Sequence, residues 1–205
     1  FLASGVLVVV GLVLRLRVAE SPEFEAMRAR TQAVKRPVVN AVRYSTKHVL
    51  LAAAMRQETT LFYVLVTFAV SYGTDHVGVD RDIMLNGTIL AALVALFTLP
   101  AFGALSDRFG RRRIFRLGAF AAIIFVVPFF ELVDTGQPGL IYLAMIIGLA
   151  FVHAAMYAPQ GAYFSELFST EVRYSGASLG YQLGSVVGGL SPLVATSLII
   201  AADGS

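Results

Sequence analysis

Long apolar runs alternate with short polar segments along this chain. A helix needs about 20 mostly apolar residues to cross the hydrocarbon core of a membrane. Five runs have that length, and the pattern predicts an all-α, polytopic membrane bundle without strands. The predicted spans are about 48–72, 83–105, 114–132, 140–157 and 176–202, and residues 1–14 are expected to be the end of an earlier spanning helix.

Residues 15–47 form the longest polar stretch and are predicted to be a loop. Its middle has the features of a surface helix: Ser21 is a good N-cap and Pro22 suits the first helical position. Pro37 is expected to end that helix, because a proline cannot continue the hydrogen-bond ladder. Residues 203–205 are expected to be a truncated end.

Composition supports a membrane protein. The chain is 57% hydrophobic and 14% charged, whereas soluble domains carry about a quarter charged residues. The absence of cysteine excludes a disulfide framework and a thiolate metal site. We expect no metal and no cofactor. The net charge of +3 does not indicate a nucleic-acid partner, because the arginines flank apolar runs; the expected partner is the lipid bilayer.

The charge distribution predicts the orientation. If residues 15–47 are cytoplasmic and the spans alternate from there, fifteen of the sixteen Lys and Arg residues lie on or toward the inner side. Only Arg81 lies outside, and the outer loops carry aspartates. This asymmetry is what the positive-inside rule predicts.

A basic turn joins two of the predicted spans. It reads Gly103-Ala-Leu-Ser-Asp107-Arg108-Phe-Gly110-Arg111-Arg112-Arg113. It resembles the loop signature G-x-L-x-D-R-x-G-R-R-x of the major facilitator superfamily, and every fixed position is filled. Gly103 is expected to allow close helix contact, and Gly110 to supply the positive φ of a short turn. A generic positive-inside loop would explain the arginines but not this ordered frame.

A second charged pair, Glu166 and Arg173, follows the fourth predicted span. It resembles another signature of the superfamily, which pairs with the basic loop on the cytoplasmic face. The resemblance implies a charge network that closes an inner gate and opens when the two halves of the transporter rock. The alternative is a set of hydrated surface ion pairs. The proposed gate consists of Gly103, Asp107, Arg108, Gly110, Arg111, Arg112, Glu166 and Arg173.

Three stretches resemble a narrower group, the metabolite:proton symporters of that superfamily. They are Glu20-Ser-Pro-Glu-Phe24, the Leu-Ser-Asp-Arg-Phe-Gly of the loop, and the run from Tyr157 to Gln182. The resemblance implies the C-terminal half of a twelve-helix transporter in a bacterial inner membrane, from the end of helix 6 through helix 11. It also implies proton symport of an organic acid, amino acid or betaine by alternating access. The implied partners are the substrate, protons and the missing N-terminal half.

Arg56 and Glu58 are charged residues inside a predicted span. A charge there costs several kcal/mol unless it is paired or hydrated, so such residues suggest a functional site. Two positions apart on a continuous helix, they point to different faces. We therefore expect one to face the transport cavity and the other a neighbouring helix, unless the helix is unwound. Alternatively, the span starts later and both residues lie at the inner interface.

His153 interrupts another apolar span and is expected at a similar depth. Glu58 or His153 is predicted to carry the coupling proton, since both can titrate near neutral pH in a suitable environment. His153 could instead hold helices together through a backbone carbonyl. Arg56 is predicted to hold a substrate carboxylate, with the substrate oriented by Gln57, Tyr63, Tyr157 and Gln160.

Gly176, Gly180, Gly184 and Gly188 recur every fourth residue and predict a close helix contact. The first of these also belongs to a match with the serine-hydrolase pattern G-x-S-x-G around Ser178, which would suggest an intramembrane protease. That elbow requires a strand-turn-helix, and we expect none. We therefore expect a transporter and not an enzyme. A uniporter, an antiporter, a channel and a membrane sensor are the remaining alternatives.

Overall fold

The structure is a computed structural model and describes residues 2–17, 37–170 and 172–203. Within these ranges the regular structure is entirely helical. The chain divides into two compact units, Phe1–Pro37 and Val38–Ser205. The described helices are α1 (Leu2–Arg17), α2 (Pro37–Met55), α3 (Glu58–Tyr63), α4 (Ala69–Asp75), α5 (Arg81–Phe109), α6 (Arg111–Asp134), α7 (Pro138–Met145), α8 (Ala154–Tyr157), α9 (Gln160–Leu167) and α10 (Arg173–Asp203), with π-helical segments at Val64–Phe68 and Ile146–His153.

Five stretches of the described chain are long and apolar enough to cross a membrane. Each contains one predicted run; the first four extend past it at both ends, and the fifth begins earlier and ends at the predicted residue. In chain order we call them the first to the fifth span: Ser45–Asp75, Arg81–Phe109, Arg111–Asp134, Pro138–Leu167 and Arg173–Ala202.

Two of the predicted boundaries between helices and polar segments are wrong. A helix begins at Pro37, where one was expected to end, and runs through a segment that was predicted to be a loop. Proline suits the first helical turn because the N–H that it lacks would have no acceptor within the helix there. The fourth span continues to Leu167 instead of ending near 157. Phe164 and Phe168 explain this extension, because both are buried against Val49 and its neighbours. The predicted surface helix within residues 18–36 lies outside the described residues.

The main apolar core joins the first four spans. Its fully buried centre includes Met84 of the second span, Phe129 of the third, and Ile141 and Met145 of the fourth. Leu65, in the first π-helical segment, packs into the same cluster. This core packs the first and fourth spans together beside their charged residues, since Ala91 and Leu149 belong to it and also adjoin Arg56, Glu58 and His153.

The glycine ladder packs the fifth span against the first, as the fourfold repeat predicted. A Cβ atom on Gly184 would lie 2.4 Å from Cβ of Arg56 and 2.7 Å from the carbonyl oxygen of Ala53. Added Cβ atoms on Gly180 and Gly188 would likewise meet the first span. Gly176 differs, because its nearest neighbour is the ring of Phe168. The backbones of the two spans therefore approach each other most closely beside Arg56.

Candidate functional site

The first span is interrupted between Met55 and Glu58. The amide of Gln57 donates to the carbonyl of Ala54 at 3.2 Å, and the amide of Thr59 donates to the carbonyl of Arg56 at 3.0 Å. These i to i−3 bonds tighten the backbone into a turn, which brings side chains two positions apart toward each other. The expectation that Arg56 and Glu58 face different surroundings is therefore wrong. The unwound alternative describes the observed geometry.

Arg56 and Glu58 form a buried ion pair. Only 8% of Arg56 and 4% of Glu58 are exposed. Nη1 of Arg56 donates to Oε1 of Glu58, and the hydroxyl of Thr59 donates to the same oxygen at 3.1 Å. Each charge depends on the other, because a single unpaired charge at this depth is strongly destabilising. The alternative that both charges lie in a hydrated interface does not fit this burial.

The second carboxylate oxygen of Glu58 faces His153. Oε2 of Glu58 lies 2.7 Å from Nε2 of His153. At this separation a proton carried by either atom is within transfer distance of the other. His153 ends the second π-helical segment, and such segments are frequent at functional sites. The structure thus brings together the three charged or titratable residues that were predicted on two spans, the first and the fourth.

The fifth span supplies further partners of Arg56. Nη2 of Arg56 donates to the hydroxyl of Tyr181 at 2.6 Å, and the guanidinium lies 3.9 Å from the centre of the Tyr181 ring. Nε donates to the hydroxyl of Ser185 at 3.3 Å. The sequence analysis missed Tyr181 and Ser185. Each follows a ladder glycine, Gly180 or Gly184, and that spacing was the signal that could have identified them.

A cavity of about 500 Å³ opens beside this cluster, and we call it the first cavity. The predicted residues Arg56, Glu58, Tyr63, His153 and Tyr157 all line it. Most of the remaining wall is apolar or carries small side chains, so the charged cluster is its main polar feature. That wall consists of Thr59, Phe62, Val66, Thr88, Ala91, Ala92, Ala95, Leu96, Leu99 and Leu149.

Gln160 and Gln57, both predicted to orient substrate, lie elsewhere. Gln160 is buried; its Oε1 is 3.5 Å from Nη1 of Arg56, and its amide nitrogen donates to the carbonyl of Met55. It lines a second cavity of about 370 Å³. Gln57 donates to the carbonyl of Ala53 and accepts from Thr60. It stabilises the turn and lines neither cavity, so its predicted contact with substrate is not supported.

The basic turn forms a third cavity of about 740 Å³, near the ends of the second and fourth spans. Arg111 contacts two carboxylates: Nη2 lies 3.0 Å from Oδ1 of Asp107, and Nη1 pairs with Glu166. Nε of Arg112 donates to the hydroxyl of Tyr163 at 2.9 Å. The basic loop and the region of the second signature are thus in direct contact.

The four other predicted members of the gate have different surroundings. Arg108 places its guanidinium 5.4 Å from the centre of the Phe109 ring, and Nε of Arg173 donates to the carbonyl of Phe168 at 3.5 Å. Gly110 has the predicted positive φ, 95°. The close contact expected at Gly103 is wrong for the described residues, since an added Cβ would meet none of their atoms within 4 Å.

The residues that line the three cavities follow one another in order along the second and fourth spans. On the fourth span, His153 and Tyr157 line the first cavity, Gln160 and Phe164 the second, and Glu166 the third. The second span shows the same order, from the alanines of the first cavity through Leu99 to the residues of the basic turn. A row of cavities therefore runs between these two spans from the charged cluster to the basic loop.

The described residues combine a buried guanidinium with a carboxylate and an imidazole, an arrangement that can bind an anion and exchange a proton. They contain no group of three His, Asp or Glu side chains that could hold a metal. Ser178 lies inside helix α10, so it does not stand on the strand-turn-helix that a hydrolase elbow requires.

Comparison with known proteins identifies the class. The sequence model of the Major Facilitator Superfamily matches residues 1–192. The chain belongs to this superfamily, as its loop signatures predicted. No solved structure gives a significant match.

Curated relatives are named as transporters. The chain is 34% identical to the shikimate transporter of Escherichia coli (strain K12), over 97% of this chain and 46% of that protein. It is 31% identical to the citrate-proton symporter of Klebsiella pneumoniae, over 95% and 44%, and 28% identical to the proline/betaine transporter of E. coli, over 93% and 40%. The chain spans about half the length of the curated relatives it matches. The names of these relatives agree with the expected class, a transporter.

Proposed function

We propose that this chain forms half of a secondary active transporter that moves a small organic anion together with a proton across a bacterial inner membrane. The supporting observation is the buried cluster of Arg56, Glu58 and His153 on the wall of the first cavity. It combines a fixed cation with groups that exchange a proton. The shikimate and citrate-proton relatives are named for anionic substrates, which agrees with the proposal.

Charge balance supplies the coupling. In the empty site the positive charge of Arg56 is neutralised by Glu58. A substrate carboxylate on Arg56 would leave two negative charges against one positive charge, whereas a proton on Glu58 without substrate would leave Arg56 unpaired. Both singly loaded states contain an uncompensated buried charge, which costs several kcal/mol. The doubly loaded state is neutral again, so anion and proton bind together.

The residues have separate roles in this scheme. His153 passes a proton to Glu58 across the contact of 2.7 Å, and Glu58 carries it. Protonated Glu58 releases Arg56, which then holds the substrate carboxylate. Tyr63 and Tyr157 orient the body of the substrate in the first cavity. Gln160 helps to orient the substrate from the second cavity. The same frame with no link between Glu58 and substrate binding would give a uniporter or an antiporter.

Uptake assays test this function. The complete protein is expressed in a host lacking related carriers, and labelled monocarboxylates, tricarboxylates and betaines are offered with and without a protonophore. We expect accumulation of at least one carboxylate above its external concentration and loss of that accumulation with the protonophore. Transport that only equilibrates the substrate would indicate a uniporter. Accumulation that survives the protonophore would indicate a different driving force.

The charged groups around Arg111 are proposed to act as the inner gate. Exposed ion pairs contribute only about 0–1 kcal/mol each to folding. Because Arg111 contacts both Asp107 and Glu166, it can nevertheless shift the equilibrium between the outward-open and the inward-open state of the transporter. We expect Asp107→Asn to lower uptake by about tenfold, the effect of about 1.4 kcal/mol, while membrane expression is unchanged. Arg116→Gln, a neutralisation in the same cavity, is the control. Normal uptake by Asp107→Asn would mean that the basic loop only sets the orientation of the protein in the membrane and does not act as a gate.

The sidedness of the spans can be measured directly. Ser169 and Gln137 are exposed residues at opposite ends of the fourth span. With Ser169→Cys and Gln137→Cys introduced singly, an impermeant thiol reagent should label Gln137→Cys in intact cells. It should label Ser169→Cys only after permeabilisation, because the Lys and Arg asymmetry places the basic loop inside. Labelling of both from the same side would contradict this topology.

A further inference from the structure

The second cavity is separated from the first by side chains that both share. Tyr157 and Leu99 line both cavities. Tyr157 stacks on His153 with ring centres 5.4 Å apart. Helix α8 ends at Tyr157, and the turn at Ala158 and Pro159 follows directly. Tyr157 therefore forms a partition at a bend of the fourth span, in contact with a member of the proton-exchanging cluster.

Arg56 has partners on both sides of this partition. Glu58 and His153 line only the first cavity, whereas Gln160 and Tyr181 line only the second. Nη1 of Arg56 contacts Glu58 and lies 3.5 Å from Oε1 of Gln160, and Nη2 contacts Tyr181. The guanidinium itself lines only the first cavity, and it reaches the second cavity through its contacts with Gln160 and Tyr181.

We propose that the second cavity is an inner subsite for the substrate carboxylate, with Gln160 and Tyr181 as its ligands and the positive charge of Arg56 directly behind them. The proposal rests on the proposed function above and adds a second stop on the path toward the basic loop. The cavity of about 370 Å³ has a size typical of sites for small molecules. The ligand is of the same chemical class as in the first cavity, a carboxylate on a small organic body.

The polar groups of the second cavity have the donors that a carboxylate needs. The oxygen of Tyr181 accepts from Arg56, so its own hydrogen is left to donate, and the described residues supply no acceptor for it. The amide nitrogen of Gln160 uses one hydrogen on the carbonyl of Met55 and has a second one. Beside the guanidinium of Arg56, these two neutral donors can bind an anion, and no further positively charged residue is needed.

The subsite also explains how Arg56 could release its ligand inward. Tyr181 and Ser185 hold the guanidinium from the fifth span, independently of Glu58. When the proton leaves Glu58, the ion pair re-forms and competes with the carboxylate in the first cavity. A carboxylate already transferred to Gln160 and Tyr181 is displaced toward the basic loop and not back outward.

Transport measured separately from the two faces tests the subsite. The complete protein is prepared in right-side-out and inside-out vesicles, and KM for a transported carboxylate is measured from each face. Tyr181→Phe keeps the ring over Arg56 but removes the hydroxyl. We expect KM from the inner face to rise about tenfold, since a hydrogen bond to a charged group is lost. KM from the outer face should rise by no more than Ser185→Ala raises it, because each of these variants also loses one bond to Arg56.

Ser185→Ala is the matched control. It also removes a hydroxyl bonded to Arg56, but Ser185 does not line the second cavity. Its effect on KM should be equal from both faces. Gln160→Met, which keeps side-chain length without polar atoms, should reproduce the inner-face effect of Tyr181→Phe.

The outcomes separate the subsite from the underlying function. Equal changes in KM from both faces in Tyr181→Phe and Gln160→Met, or no change, would overturn the subsite and leave the proposed function intact. Failure of the wild-type protein to transport any carboxylate would overturn the proposed function and the subsite together.

Discussion

Gly184→Ala is expected to abolish transport and to lower the thermal stability of the purified protein. The new methyl group would lie 2.4 Å from Cβ of Arg56 and 2.7 Å from the carbonyl oxygen of Ala53. Neither atom belongs to the end of a flexible side chain, so the first and fifth spans must separate. The separation would pull Tyr181 and Ser185 away from the guanidinium and expose the buried ion pair.

Gly189→Ala is the control for this substitution. Gly189 lies in the same helix, and an added Cβ there meets no described atom within 4 Å. Without a clash, glycine to alanine in a helix is favourable by about 1 kcal/mol, so Gly189→Ala should be at least as stable as wild type. Melting of the detergent-solubilised proteins and uptake by matched amounts of protein give the comparison. A Gly184→Ala protein with wild-type melting and uptake would refute the close packing beside Arg56.

Glu58→Gln is expected to eliminate accumulation against a gradient while leaving exchange of internal for external substrate. Glutamine resembles the protonated carboxyl in shape and hydrogen bonding but cannot titrate. Arg56 then loses its charged partner, so the substrate carboxylate binds without waiting for a proton. Substrate affinity should become nearly independent of pH, whereas in the wild type it should weaken as pH rises.

The empty Glu58→Gln protein should also be less stable than wild type, by up to about 3–5 kcal/mol, because Arg56 is left as a buried unpaired charge. Bound substrate should restore much of that loss. Glu131→Gln, which removes an exposed carboxylate of the third span, is the control for general effects of charge. Wild-type accumulation by Glu58→Gln would remove this residue from the coupling mechanism.

His153→Gln separates the two candidate proton carriers. If His153 only passes the proton to Glu58, the variant should still accumulate substrate, at a reduced rate. If His153 is the carrier, the variant should show the uncoupled behaviour predicted for Glu58→Gln. The shared contact between the two residues makes a combined role the expected one, with Glu58 as the residue that responds to the substrate charge.

The spans and the class could be predicted from the sequence because both depend on local patterns. Hydrocarbon demands long apolar helices, and the apolar runs located all five spans of the described chain. The basic turn around Asp107 and Gly110 is likewise local. The ends of the helices were less predictable, because the burial of Phe164 and Phe168 extends a helix through a segment that is polar in sequence.

The geometry of the candidate site could be predicted only in part. Arg56, Glu58 and His153 stand out as charged or titratable residues within apolar runs, but several partners of Arg56 come from other spans. Those partners include Tyr181 and Ser185, which lie 125 and 129 positions away in the chain. The glycine ladder indicates which face of the fifth span packs closely, but it does not show which residue of another span that face will meet.

Proton uptake on substrate binding tests the central claim most directly. Purified complete protein in weakly buffered detergent solution is mixed with a transported carboxylate, and the change in pH is converted to protons taken up per substrate bound. Because Glu58 must be neutralised when the carboxylate binds Arg56, the wild type should take up about one proton per anion above the pH at which the empty site is deprotonated. Glu58→Gln should bind the anion with almost no uptake. Anion binding by the wild type without proton uptake, or equal uptake by Glu58→Gln, would contradict the exchange of an internal ion pair for substrate and proton.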